Sequence, residues 1–264
     1  MVKNELKIAY YQQPIAWEDP AANYEMVERA FESVAAKADI LIVPETFTTG
    51  FSDNMAAMAE APEGETLQYA RRLARQFDVL FVGTWVVKTE QGVFNRLHWV
   101  QPDGRYGFYD KAHTFRMSSE ASQLQRGTQR ALFQWRGWRI KPAVCYDLRF
   151  PAWMRNTNPL SYDLMIFCAN WPGSRWEAWE TLLKARAIEN ESYVVGVNRC
   201  GTDGVGIPYK GGSMAVDFKG TALSRCLPEK GEVQLATLYR DELERFREKW
   251  SFYIDFDKFD IKQD

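Results

Sequence analysis

The chain has 264 residues, 46% hydrophobic and 26% charged, with 33 Lys and Arg against 35 Asp and Glu for a net charge of −2. That is the balance of an ordinary soluble globular chain, and 17 Gly and 11 Pro exclude collagen-like and low-complexity readings. The near-neutral charge leaves no electrostatic footprint for nucleic acid or for an anionic membrane.

No internal repeat and no Ser/Gly/Pro linker divides the sequence, which predicts one domain. Lys7–Tyr11 opens as a strand, and Ala21–Ala38 carries Tyr24, Val27, Phe31 and Val34 as a helical stripe. Ile40–Val43 is a β-branched run ended by Pro44, a buried strand. Thr66–Phe77 reads as a helix and Val79–Val87 as a strand. Asn95–Val100 and Tyr106–Asp110 flank the turn signal Pro102-Asp103-Gly104. Further strands are expected at Ala131–Trp135, Trp138–Cys145, Asp163–Ala169, Tyr193–Asn198, Ser213–Asp217 and Glu232–Thr237, with helices at Trp176–Glu191 and Arg240–Trp250. Hairpins mixed with alternating strands and helices predict an α/β chain with a mixed sheet, or two sheets, and helices outside. The stretch 251–264 spends Phe252, Tyr253, Ile254, Phe256 and Phe259 after the last helix, more aromatics than a fraying tail needs.

The longest uncharged apolar run, Leu164–Trp171, is far short of the roughly 20 residues of a spanning helix. The N-terminus has no signal-peptide hydrophobic run, so the expected address is cytoplasmic. Cys145, Cys168, Cys200 and Cys226 form no CxxC pair, and only His98 and His113 could join them. Neither a metal site nor a disulfide framework is expected, and no cofactor.

Three segments place a reactive residue just after an apolar strand, where α/β folds expose side chains to a crevice. They are Glu45 after Ile40-Leu-Ile-Val-Pro, Lys111 after Tyr106-Gly-Phe-Tyr-Asp, and Cys145 after Lys141-Pro-Ala-Val. Alone, each reads as easily as a solvated charge or a small buried hydrophobe. Together they name a chemistry. A carboxylate beside a thiol can serve as its base if burial raises its pKa, and an ammonium can hold a thiolate and an oxyanion. Acyl transfer through a thioester then needs no metal or organic group.

With these residues goes a family resemblance. Leu41-Ile-Val-Pro-Glu-Thr-Phe, Tyr109-Asp-Lys-Ala-His-Thr-Phe, Cys145-Tyr-Asp-Leu-Arg-Phe-Pro, Ala169-Asn-Trp-Pro and Ala185-Arg-Ala-Ile-Glu-Asn-Glu-Ser-Tyr-Val resemble, in order, segments of the nitrilase (carbon–nitrogen hydrolase) superfamily. The resemblance runs from the first strand to about Glu248. Within the superfamily the chain is similar to the bacterial omega-amidase, or 2-oxoglutaramate amidase, branch; Asn198-Arg-Cys-Gly-Thr-Asp-Gly adds to that narrower likeness. It implies a four-layer αββα sandwich over residues 1–250. It also implies a Glu–Lys–Cys triad with Glu45 as base, Lys111 as oxyanion cation and Cys145 as nucleophile. Glu120, seven residues before Gly127, fits the family's second glutamate, with a solvated loop carboxylate as the alternative.

The resemblance further implies hydrolysis of the primary amide of a small omega-amide dicarboxylate, of the 2-oxoglutaramate or succinamate type. Alternatives are a nitrile, an N-carbamoyl amine or an aliphatic amide as substrate, or a non-catalytic interaction protein on the same scaffold. Substrate contacts are expected from the Tyr146 backbone N–H, Trp171, and Arg149 or Arg175 toward a distal carboxylate. Arg149 could instead pair with Asp147, itself read as a local cap, and Arg175 could be a solvated charge at a helix entry. His113 is expected to make a structural hydrogen bond to the site. Family members generally pair αββα units, so a homodimer or larger is expected, with the aromatic tail at the subunit interface.

Overall fold

The first half of the chain builds one sheet and its outer helices. Strand β1 (Glu5–Gln12) leads to helix α1 (Pro20–Glu32), strand β2 (Ile40–Ile42), helix α2 (Glu65–Phe77), then β3 (Leu80–Thr89), β4 (Gly92–Val100) and β5 (Tyr106–Asp110). The second half follows with α3 (Glu120–Gln123), β6 (Phe133–Trp135), β7 (Trp138–Val144), α4 (Pro151–Met154), β8 (Leu164–Ala169), α5 (Trp176–Glu189) and β9 (Tyr193–Asn198). The small strands β10 (Cys200–Thr202), β11 (Pro208–Lys210), β12 (Met214–Val216) and β13 (Ala222–Arg225) precede the long β14 (Glu232–Tyr239) and α6 (Arg240–Trp250). These are features of a computed structural model that describes residues 3–262.

One six-stranded sheet has the order β14-β1-β2-β3-β4-β5 and the other β13-β12-β9-β8-β7-β6. Each is parallel at its centre, β1-β2-β3 and β7-β8-β9, and antiparallel at its edges. Period-2 alternation splits the strands of the first sheet between two faces. Leu6, Ile8, Tyr10, Ile40, Ile42, Leu80 and Val82 turn inward and share one continuous core with Ile140, Val144 and other residues of the second sheet. Their neighbours Ala9, Tyr11, Leu41, Val43 and Phe81 turn outward against Val27 and Phe31 of α1 and Leu67 and Leu73 of α2. Trp179, Leu183 and Ala187 of α5 cover the outer face of the second sheet. There α5 approaches so closely that a Cβ on Gly196 would stand 2.6 Å from Leu183 Cδ1. Helices, sheet, sheet, helices: the four-layer α/β architecture is the one expected.

Some expectations change in detail. The first helix ends at Glu32 rather than Ala38, because Ser33 closes it and Ala35–Lys37 forms a separate 3₁₀ turn into β2. Ser and Val are weaker helix formers than the residues before them. Strand β7 ends at Val144, one residue early, since Cys145 adopts φ +42° and opens a 3₁₀ turn. Segments α3, α4, β10, β11 and β13 hold three or four residues each, too few to show a periodicity. Cys200 is buried at the start of β10.

Past α6 the tail turns back through a 3₁₀ turn at Phe252–Asp255. Phe256 lies under the Arg155 guanidinium at 3.8 Å, and Ile261 packs against the main core. Phe252, Ile254 and Phe259 stay 51%, 61% and 47% exposed.

Candidate active site

Four side chains reach one place because each comes directly off a strand end. Glu45 follows β2, Lys111 follows β5, Cys145 follows β7 and Asn170 follows β8. The first two belong to one sheet and the last two to the other, so the site lies where the two sheets meet.

Cys145 sits in the left-handed backbone region, φ +42°, which costs a non-glycine residue of order 1–3 kcal/mol unless its surroundings enforce it. Asp147 enforces it. Fully buried, it accepts from the Val144 N–H (3.0 Å) and the Tyr109 hydroxyl (2.8 Å) with Oδ2, and from the His113 N–H (3.1 Å) with Oδ1. The His113 ring closes the turn with Nδ1 at 2.7 Å from Oδ1, while stacking on Phe150 at 3.7 Å. Asp147 is therefore the local cap, and its partners are not Arg149.

Glu45, fully buried, meets three donors. Lys111 Nζ and Asn95 Nδ2 each lie 2.8 Å from Oε1, and the Asn170 backbone N–H lies 2.8 Å from Oε2. The Asn170 side chain holds the same turn by donating to the Glu45 carbonyl (2.6 Å) and to Thr46 Oγ1 (2.9 Å). Lys111 Nζ also lies 2.8 Å from both oxygens of Glu120. Glu120 is not a solvated loop residue. It is fully buried, and accepts from the Phe115 N–H (2.6 Å) and Asn95 Nδ2 (3.1 Å) as well.

Two carboxylates thus share one ammonium out of water. Burial alone would push the Lys111 amine down, but Glu120 and Glu45 outweigh it and hold it above the usual lysine range. Glu120 is pushed up, first by burial and further by the like charge of Glu45, against the pull of Lys111. The Cys145 thiol is pushed well up by burial and by the Glu45 charge, against Lys111; its Sγ lies 3.8 Å from the Asn170 carbonyl. The resting sulfur is a thiol beside a carboxylate.

A cavity of about 580 Å³ opens over this cluster, with Lys111, Cys145, Tyr146, Arg149, Trp171 and Arg175 on its wall. Glu45, Glu120 and His113 stand behind the wall. Arg149 lies over the Trp171 ring (4.9 Å) and Arg175 over the Phe115 ring (5.1 Å). The Trp171 indole N–H donates to the Arg175 carbonyl at 2.8 Å. Among the described residues, no carboxylate forms an ion pair with either arginine. Asn95 and Asn170 carry much of the hydrogen bonding and were not singled out. Asn170 could have been, since it follows an apolar strand just as Cys145 does; Asn95 lies inside a strand and gave no signal.

The chain belongs to the carbon-nitrogen hydrolase family, whose pattern matches residues 7–248. The omega-amidase YafV of Yersinia enterocolitica is 42% identical over 254 residues, 96% of this chain and 98% of that protein. The 2-oxoglutaramate amidase of Bacillus subtilis is 29% identical over 230 residues, 86% of this chain and 88% of that protein. A solved CN-hydrolase superfamily protein of Xanthomonas campestris, carrying an arsenic adduct in its active site, has a TM-score of 0.96 at 39% identity. That likeness covers 98% of this chain and 100% of that one.

Proposed function

We propose that this chain is an omega-amidase, hydrolysing the primary amide of a short dicarboxylic monoamide, such as 2-oxoglutaramate or succinamate, to the dicarboxylate and ammonia. The observation that carries the reading is the buried Cys145 thiol on the cavity wall, with Glu45 and Lys111, paired at 2.8 Å, beside it. Glu45 takes the thiol proton as sulfur attacks the amide carbon, which suits a sulfur that rests protonated. The Lys111 ammonium and the Tyr146 backbone N–H receive the oxyanion. Glu45 returns the proton to departing ammonia, leaving a thioester on Cys145. It then takes a proton from the water that attacks the thioester, and sulfur leaves with that proton restored. Glu120 keeps Lys111 charged and fixed. Arg149 and Arg175 face the cavity without an ion-pair partner among the described residues, which suits a distal carboxylate.

Ammonia release across omega-amides, simple amides and nitriles tests the substrate class. Turnover should need the distal carboxylate, and equal turnover of a simple aliphatic amide would overturn that part. Cys145→Ala should fold normally and lose at least about a thousandfold in turnover. Intact-protein mass spectrometry should find the acyl group on Cys145 alone.

We also propose that residues 1–250 form the hydrolase unit and that the tail, 251–264, completes a homodimer or larger. Half-exposed Phe252, Ile254 and Phe259 support this, since burying each contributes roughly 1.5–3 kcal/mol. Truncation after Trp250 should shift the protein toward monomer in sedimentation; an unchanged oligomer would end the idea of a crossing tail. A cytoplasmic place of action is proposed because all four cysteines are free thiols.

A further inference from the structure

Asn95 lies in the middle of β4 and is 1% exposed, although asparagine is a residue type depleted in strands. Its two ends are used unequally. Nδ2 donates to Glu45 Oε1 (2.8 Å) and to Glu120 Oε1 (3.1 Å), while the buried Oδ1 has no partner among the described residues. A buried acceptor without a partner weakens a fold, so what Asn95 contributes lies at its NH₂ end.

A carboxylate offers about four acceptor sites, two on each oxygen. On Glu120 all are taken: Oε1 by Lys111 and Asn95, Oε2 by Lys111 and the Phe115 N–H. Lys111 Nζ stands 2.8 Å from both Glu120 oxygens, so one N–H can span them. A second N–H meets Glu45 Oε1, and the third is left for the oxyanion. On Glu45, Oε1 is taken by Lys111 and Asn95, whereas Oε2 accepts only from the Asn170 N–H (2.8 Å). The vacant site of the two glutamates is therefore on Glu45 Oε2. It lies on the side of the nucleophile, because the carbonyl of the same Asn170 is 3.8 Å from Cys145 Sγ.

We propose that Asn95 is a positioning residue of the reaction: by filling one site on each glutamate it keeps both ionised and leaves Glu45 Oε2 to take the Cys145 proton. The inference rests on the acyl-transfer reading, with Cys145 as nucleophile and Glu45 as its base, and adds the atom that carries the proton. The S–H bond breaks as sulfur bonds to the amide carbon, and an O–H bond forms at Oε2. The same proton then passes from Oε2 to the departing nitrogen, while Asn95 and Lys111 stay where they are.

The other ionisable groups beside the two glutamates are Lys111 after β5 and Cys145 after β7; β8 brings the neutral Asn170. On the opposite face of β4 and β5, Arg96 and Asp110 pair with each other at 2.6 Å. An N–H donated to a carboxylate favours its ionised form, so without Asn95 the pair binds a proton more readily and the base is lost at a higher pH. Burial and the Glu45 charge already push Glu120 in that direction.

The experiment uses Asn95→Leu, which keeps the size of the side chain, keeps water from its place and donates nothing. Two rates are followed from about pH 5 to 9: kcat/KM on succinamate, and alkylation of Cys145 by iodoacetamide, read by mass spectrometry. The acid limb of both should move up by at least about one pH unit, a deficit of about tenfold at low pH that shrinks as pH rises. Asn95→Thr suits a strand and keeps one donor; it should move the limb less far, and it decides the matter if the leucine variant does not fold. A folded variant whose rates fall by one factor at every pH, or do not fall, would make Asn95 merely structural and overturn the inference. A wild-type protein inert on succinamate but alkylated on Cys145 would overturn the substrate reading alone, with the alkylation profiles deciding the role of Asn95. A wild-type Cys145 that resists both would overturn the nucleophile reading, and the inference with it.

Discussion

Two ionic clusters around buried carboxylates use the same kinds of group in opposite proportion. At the cavity, two carboxylates, Glu45 and Glu120, share the single cation Lys111. Beneath α6, the single carboxylate of Asp163 is surrounded by Arg139 (2.6 Å), Arg247 (2.8 Å) and Arg240 (3.6 Å). The second cluster is built of charges that do not titrate: arginine stays protonated, and Asp163 is held below the usual carboxylate range because Arg139 and Arg247 outweigh its burial. Its stabilising contribution is present above the ordinary carboxylate pKa and is lost only as pH falls through the lowered one. The first cluster has an excess of acid, a lysine that must stay charged, and a carboxyl pushed up toward proton uptake. Proton traffic belongs to the acid-rich cluster and fastening to the arginine-rich one.

The comparison breaks most visibly at Lys111. Lys111→Met should lower turnover by about 10²–10³ through loss of the oxyanion cation alone. It should also leave Glu45 and Glu120 facing each other, so that the pair binds a proton at neutral pH. Proton uptake on folding, followed against wild type with a pH indicator, checks the second point, and Lys111→Arg should not restore the rate.

At the other cluster the effect should reverse. Arg247→Met should destabilise the fold by about 3 kcal/mol, because it strips Asp163 of a partner and leaves the Glu191 carbonyl without its donor. Urea denaturation reads the loss; kcat at 25 °C should stay within about twofold. A catalytic defect larger than the stability defect would show the two clusters to be coupled.

The smallest expected effect separates both from a lone titrating group. His98 is buried, stacked on Trp85 at 3.7 Å, and held well below its ordinary pKa of 6.5 by burial and by Arg96. Its folded pKa is lowered, so the unfolded chain takes the proton first, and stability falls as pH drops below about 6.5, by at most about 1.4 kcal/mol per pH unit. Denaturation midpoints between pH 7 and 5 should show this slope. His98→Phe should flatten it, leaving the carboxylates responsible for what remains at lower pH.

Glu45, Lys111 and Cys145 were legible in the sequence because each follows a short β-branched or aromatic run, and strand ends in an α/β fold open into crevices. Alternation of strand and helix, and paired turn signals, were enough for an α/β chain with one mixed sheet or two, since period and punctuation are local properties; the four-layer sandwich was implied by the family resemblance. Which face of each strand meets which was not legible, nor was the partner of any charge. Glu120 and a surface glutamate look alike in a sequence; only the packing of α3 against β4 and β5 takes water away from it and sets Lys111 and Asn95 beside it. Asn95 gave no sign, because its role depends on a register between β3, β4 and β5 that no short window contains. The left-handed turn at Cys145 and the gathering of three arginines around Asp163 were likewise decided by the tertiary structure. Each depends on groups far apart in the chain whose electrostatics exist only once water has been excluded from between them.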